Sequence, residues 1–254
     1  MESILELITK ECDAISKEFN QKKTNTEEFF CLVMLKRLNS SCHSLRILMQ
    51  GLNENGKSEY SCGIIIRSVL LDTMISINVM IKFLDESEAR DENLTNYCSI
   101  WLADSLKHSI ENVSKLYQNK TREDRMKIIS NLINCHPDFF EEDTINNEQP
   151  KLKKKFRKPE NAAALYLNIK NSDLEGLSSI YEGYLFYSKY DHFGQVSYEI
   201  LRNDMIMRID FLNRSIDSFL YHLFYLIIIL KSFNLENKIL DTSFKKIEKL
   251  MKEE

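Results

Sequence analysis

The sequence predicts an all-α fold, and three observations carry the prediction. First, glycine and proline together number nine in 254 residues, about 3.5% against a typical combined share of roughly 12%. Sandwiches, barrels and Rossmann-type folds need those residues at many turns. Second, 43% of the chain is hydrophobic and 28% charged, enough apolar material for a good core. Third, apolar residues recur at helical spacing over most of the length.

In chain order, Ile4, Leu5, Ile8, Ile15 and Phe19 mark an amphipathic helix over residues 3 to 19. A second helix begins at Thr26, whose hydroxyl can cap free N–H groups while Glu27 and Glu28 meet the positive end of the dipole, and Gly51 stops it after Gln50. Ser58 caps a third, over residues 58 to 85, in which Ile66, Leu70, Thr73, Ile77, Met80 and Leu84 hold one seam. Residues 88 to 118 and 121 to 134 read as further helices. After a short segment at Ala162 to Ile169, Ser172 caps a helix running to Tyr190. The longest element predicted covers 198 to 233, where Met205, Ile209, Leu212, Ile216, Phe219, Leu223, Leu226 and Leu230 keep an unbroken seam. The result is a multi-helix bundle with two long central helices, a single domain over 1–254.

One stretch interrupts it. Residues 138 to 148 hold five acids and no base, residues 151 to 158 six bases and no acid, and all three prolines lie at 137, 150 and 159. This predicts a charged loop near 135–160 that projects from the bundle. In KLKKKFRK, Lys153, Lys154, Lys155, Arg157 and Lys158 are candidate nucleic-acid or anion contacts, with Phe156 available to stack on a base.

Net charge is −4, so the whole chain is not a basic nucleic-acid module. The six cysteines are widely spaced without CxxC, and read as reduced, mostly buried thiols in the cytosol rather than zinc ligands or a disulfide scaffold. No signal peptide is expected. Between Asp217 and Lys231 the apolar run of 13 residues covers about 20 Å, short of a bilayer's roughly 30 Å core, so no membrane span is expected. Phosphate loops, HExxH and GxSxG are missing from the sequence, and neither a metal nor a cofactor is expected.

The polar set most suggestive of chemistry lies on two helices. Tyr184, Ser188 and His192 recur every fourth residue, and Arg67, with Ser68, Asp72 and Ser76, sits on the third helix. A buried Arg67 or Asp72 needs a partner, which Tyr184 and His192 can supply, and such a cluster can poise His192 as a general base. SCGIIIRSVLLDTMISINVMIKFL followed by IYEGYLFYSKYDHFGQVS resembles an uncharacterised bacterial family of unknown function with an arginine and an acid on one helix and a late Y-x3-S-x3-H pattern. Arg67, Tyr184, Ser188 and His192 match it, whereas the acid stands at Asp72 in place of Leu71. The resemblance implies an all-helical prokaryotic protein and no particular activity. KRLNSSCHS is similar, more loosely, to the higher-eukaryote-and-prokaryote nucleotide-binding superfamily of helical RNA-cutting toxins and phage-defence effectors, with Arg37 and His43 as its arginine and histidine. That resemblance implies a histidine that activates a ribose hydroxyl and an arginine on the phosphate.

Two functions follow as expectations. One is a cytoplasmic binding or scaffolding module, a homo-oligomer through the 205–230 seam, with the polar set structural. The alternative is a metal-independent ribonuclease-like effector with His192 or His43 as base and an arginine on the phosphate, which makes nucleic acid a partner.

Overall fold

The computed structural model describes residues 2–20, 22–55, 59–188 and 205–253. It is all-α: α1 Glu2–Phe19, α2 Thr26–Asn55, α3 Glu59–Phe83, α4 Arg90–Leu116, α5 Arg122–Cys135, α6 Ala162–Lys170, α7 Ile180–Ser188, α8 Met205–Phe233 and α9 Lys238–Glu253. Among the described residues the one β-type pairing is an isolated antiparallel bridge between Phe140 and Leu152.

Several boundaries differ from those the sequence suggests, each for a local reason. Thr26 is the first helical residue of α2, and Asn25 does the capping. Its Oδ1 accepts from the Glu28 N–H at 2.7 Å and Glu28 accepts from the Asn25 N–H at 2.8 Å, a reciprocal capping box. At its other end α2 runs through Gly51 to Asn55, and its 30 residues exceed the 29 described for α8. A helical glycine costs only about 1 kcal/mol relative to alanine, too little to end a packed helix. Ser172 shapes a turn: its hydroxyl donates to Ile169 O and accepts from the Leu174 N–H. A 3-10 turn over Glu175–Ser179 follows, and α7 starts only at Ile180. The carboxy-terminal α9 was missed altogether, although Asn237 Oδ1 caps the Ile239 and Leu240 N–H groups and Leu240, Ser243 and Ile247 form its buried face. Ser58 lies outside the described residues.

The chain forms two compact units, Met1–Ser87 with Asn161–Glu254, and Glu88–Glu160. In the first, α3 packs against α2, α6, α7 and α8, and α8 against α1, α2, α3, α7 and α9. The two central helices are therefore those whose seams the sequence marked. On α3, Ile66, Leu70, Thr73, Ile77 and Met80 are buried, while Leu84 lies past the helix end and is exposed. On α8, Leu212, Ile216, Phe219, Leu223, Leu226 and Leu230 are all buried within one chain. That part of the seam is filled by neighbouring helices of the same chain.

Two helical stretches are long and apolar enough to cross a bilayer, Ser61–Phe83 with mean hydropathy 1.8 and Leu212–Phe233 with 1.5. The apolar run between Asp217 and Lys231 is only the core of the second. In the structure 67% and 61% of these windows is buried inside the bundle, and the first keeps Asp72, Thr73, Ser76 and Asn78 among its buried residues. These properties fit core helices, whose apolar length serves packing.

In the second unit, α4 packs on α5 and on the 3-10 turn Lys154–Phe156. Thr121 caps α5, its hydroxyl accepting from the Asp124 N–H at 3.2 Å. Within this unit the charged stretch is a folded hairpin with its own aromatic core. Around the Phe140–Leu152 bridge, the Glu141 N–H donates to Lys151 O and the Lys153 N–H to Phe139 O, both at 2.9 Å. Phe139, Phe140, Leu152 and Phe156 are buried. This hidden apolar content is why a segment that reads as a solvated loop belongs to a unit with a core.

Candidate functional site

Packing of α7 on α3 brings Arg67 to Tyr184, one of its two expected partners, and to Ser188. Arg67 Nε donates to Ser188 Oγ at 3.1 Å and Nη2 to Tyr184 Oη at 3.4 Å, with the guanidinium 5.3 Å from the Tyr184 ring centroid. Ser188 in turn donates to the Tyr184 carbonyl at 2.7 Å, so one serine hydroxyl ties α7 to itself and to α3. Tyr184 continues a stack with Tyr181 and Tyr166, whose centroids are 6.1 Å and 4.6 Å apart in succession. Gly183 permits the close approach. A Cβ there would stand 3.1 Å from Leu70 Cδ1.

Asp72 does not join them. Five positions on a helix rotate it about 140° from Arg67, and it turns to α2 instead. Arg37 Nε donates to Asp72 Oδ2 at 2.8 Å and Nη2 to Oδ1 at 2.9 Å, a bidentate pair between a half-exposed guanidinium and a carboxylate only 6% exposed. The pair pulls in both directions on Asp72. Burial pushes the carboxyl above its usual range, and the adjacent Arg37 only partly opposes that shift; the same contact raises Arg37.

The residue after Asp72 leads to a histidine of α8, His222. Thr73 donates to Val69 O at 2.8 Å, which leaves its oxygen to accept from His222 Nδ1 at 3.4 Å. His222 is fully buried on α8, and burial, with the Arg37 charge behind it, pushes its pKa down to about 3. It is a neutral imidazole with the proton on Nδ1, and among the described residues neither its Nε2 nor the buried Ser76 Oγ has a hydrogen-bond partner. A side chain so placed and so poor a base is unsuited to proton transfer at neutral pH.

His192 lies outside the described residues. His43 is exposed on α2, and the helix runs without a break from Arg37 through it. Six positions separate them by about 120° around the axis, and they do not converge. His108 is a surface residue whose Nδ1 lies 2.9 Å from Asp104 O. His136 stacks on Phe139 with centroids 5.0 Å apart, and burial lowers its pKa. Among the described residues no group of three or more His, Cys, Asp or Glu could hold a metal.

The basic octet divides into buried, braced and free members. Phe156 is buried against Phe139, with Lys155 over its ring at 4.7 Å, and is not available to stack on a base. Arg157 holds the hairpin, donating through Nε to Leu152 O and pairing with Glu141. Glu148 of the acidic run engages Arg125 at 3.2 Å and Arg122 at 3.5 Å. Lys154, Lys155 and Lys158 are exposed and Lys153 half-buried.

Comparisons with family models, with curated proteins and with solved structures find no match for the chain.

Proposed function

We propose that the chain is a cytosolic helical binding or scaffolding module whose polar residues hold the frame rather than perform a reaction. The observation that carries this reading is the division of the candidate set. Arg67 spends donors on Tyr184 and Ser188 across α3 and α7, while Asp72 is taken by Arg37 across α2 and α3. Each polar contact joins two helices, which is what a frame needs. A bidentate or stacked arginine adds geometric specificity that apolar contacts lack.

The thiols support the compartment. All six cysteines are free and five are buried, and burial pushes Cys42 up to about 12, the behaviour of inert thiols in a reducing environment. A second copy of the chain would have to dock on a surface other than the buried Leu212–Leu230 seam.

The test is incubation of the full chain with single-stranded and structured RNA without added metal, beside Arg37→Ala, Arg67→Ala, His43→Ala and His192→Ala. This reading expects intact RNA in every sample. Cleavage by the wild type that disappears in one variant, with helical circular dichroism unchanged, overturns it in favour of the ribonuclease-like effector.

A further inference from the structure

The Glu88–Glu160 unit contains a cleft of about 460 Å³ between α4 and the hairpin. Helix α4 supplies Lys107 and Ile110, and the hairpin supplies Gln149, Lys151, Leu152 and Arg157. The volume lies within the range of small-ligand sites. Ile110 and Leu152 are almost fully buried and give it an apolar floor. Three cations stand around that floor. Arg157 is braced by Glu141, Lys107 is only loosely paired with Glu111 at 3.6 Å, and Lys151 has no ion-pair partner among the described residues.

We propose that this cleft binds one nucleotide unit. Phosphate oxygens suit the ammonium groups of Lys107 and Lys151 and the guanidinium edge that Arg157 has left. A flat base suits the Ile110 and Leu152 floor, the Gln149 amide offers both a donor and an acceptor to its edge, and the Glu111 carboxylate can accept from ribose hydroxyls. An inorganic anion would use the cations and leave the floor and the acid without purpose. The nucleotide can arrive free or as part of a single strand, for which exposed Lys154, Lys155 and Lys158 extend the positive surface beyond the cleft. The site uses none of the residues on which the proposed function rests, so either can fail alone.

The test is calorimetric titration of the full chain with AMP, with inorganic phosphate and with an eight-nucleotide oligoadenylate. Two variants accompany it, Lys151→Glu in the cleft and Lys154→Glu/Lys158→Glu outside it, each checked for wild-type circular dichroism. The proposal expects AMP to bind more tightly than phosphate and to weaken about tenfold or more in Lys151→Glu, with little change in Lys154→Glu/Lys158→Glu. A free nucleotide is the source if the oligonucleotide binds no better than AMP. A strand is the source if it binds more tightly, is displaced by AMP and loses affinity in both variants. The proposal is overturned if AMP does not bind at millimolar concentration or binds no better than phosphate, or if oligonucleotide binding ignores AMP and Lys151→Glu.

Discussion

Arg37 on α2 and Asp72 on α3 face each other with two parallel hydrogen bonds, at 2.8 and 2.9 Å. The carboxylate is almost sealed and the guanidinium is half open to water. Burial holds the Asp72 pKa above its usual range in spite of the arginine, so ionised Asp72 depends on its partner. Arg37→Ala should cost about 3 kcal/mol at neutral pH, since it leaves a buried charge uncompensated. The loss should shrink as the pH is lowered and Asp72 takes a proton. Asp72→Asn should cost less, because no buried charge remains. Urea denaturation of both variants at pH 7 and pH 4.5 checks the order, and equal losses for Arg37→Ala at the two pH values would contradict it.

His222 sets an opposite pH dependence. Its folded pKa is about 3 against 6.5 for an ordinary histidine, so between those values the unfolded chain binds a proton that the folded one refuses. Its contribution is fully present above pH 6.5 and is lost as the pH falls, at about 1.4 kcal/mol per unit. Asp72, shifted upward, offsets part of that loss within its own range. His222→Gln should flatten the stability profile between pH 6.5 and 4.5; a profile as steep as that of the wild type would mean that His222 is not the group responsible.

From Leu212 to Leu230 the α8 seam is buried within one chain. Phe219→Asp and Leu223→Asp place a charge where the side chains are fully buried, and each should unfold the chain. Circular dichroism with sedimentation velocity separates the outcomes. A folded variant of lower molecular weight would mean that the seam joins two chains.

Gly183 sits where α7 meets α3. Gly183→Leu has no room beside Leu70 and should cost about 1–3 kcal/mol through overpacking. Gly183→Ala should cost less, because its single methyl presses on the end of the flexible Leu70 side chain, with Ser215 Oγ at an ordinary 3.9 Å, and gains up to about 1 kcal/mol in helix propensity. A Gly183→Leu variant with the wild-type denaturation midpoint would show that the two helices are less closely packed.

The two central helices were legible because their seams are made of consecutive local residues. The order within the polar set was not. Spacing put Tyr184 and Ser188 on one face of α7, but only the packing of α7 on α3 brings them to Arg67. The Arg37–Asp72 pair joins residues 35 apart on different helices, which periodicity cannot see. His222 was hidden because an apolar setting says nothing about a threonine on the opposing helix. The hairpin was missed because Phe139, Phe140, Leu152 and Phe156 meet only once a cross-strand bridge forms, and its charges dominate a local reading. Lys107 and Ile110 gain meaning only when the hairpin folds beside them.

The central claim is that the polar residues of the Met1–Ser87 and Asn161–Glu254 unit hold its helices together. A double-mutant cycle on Arg37→Ala and Asp72→Ala, read by chemical denaturation at neutral pH, tests it most directly. The account predicts a coupling of about 1–3 kcal/mol, between the values for exposed and buried ion pairs, with the double variant more stable than Arg37→Ala alone. Single changes that each shift stability by less than about 0.5 kcal/mol and simply add would contradict it, and would leave the pair free for another role.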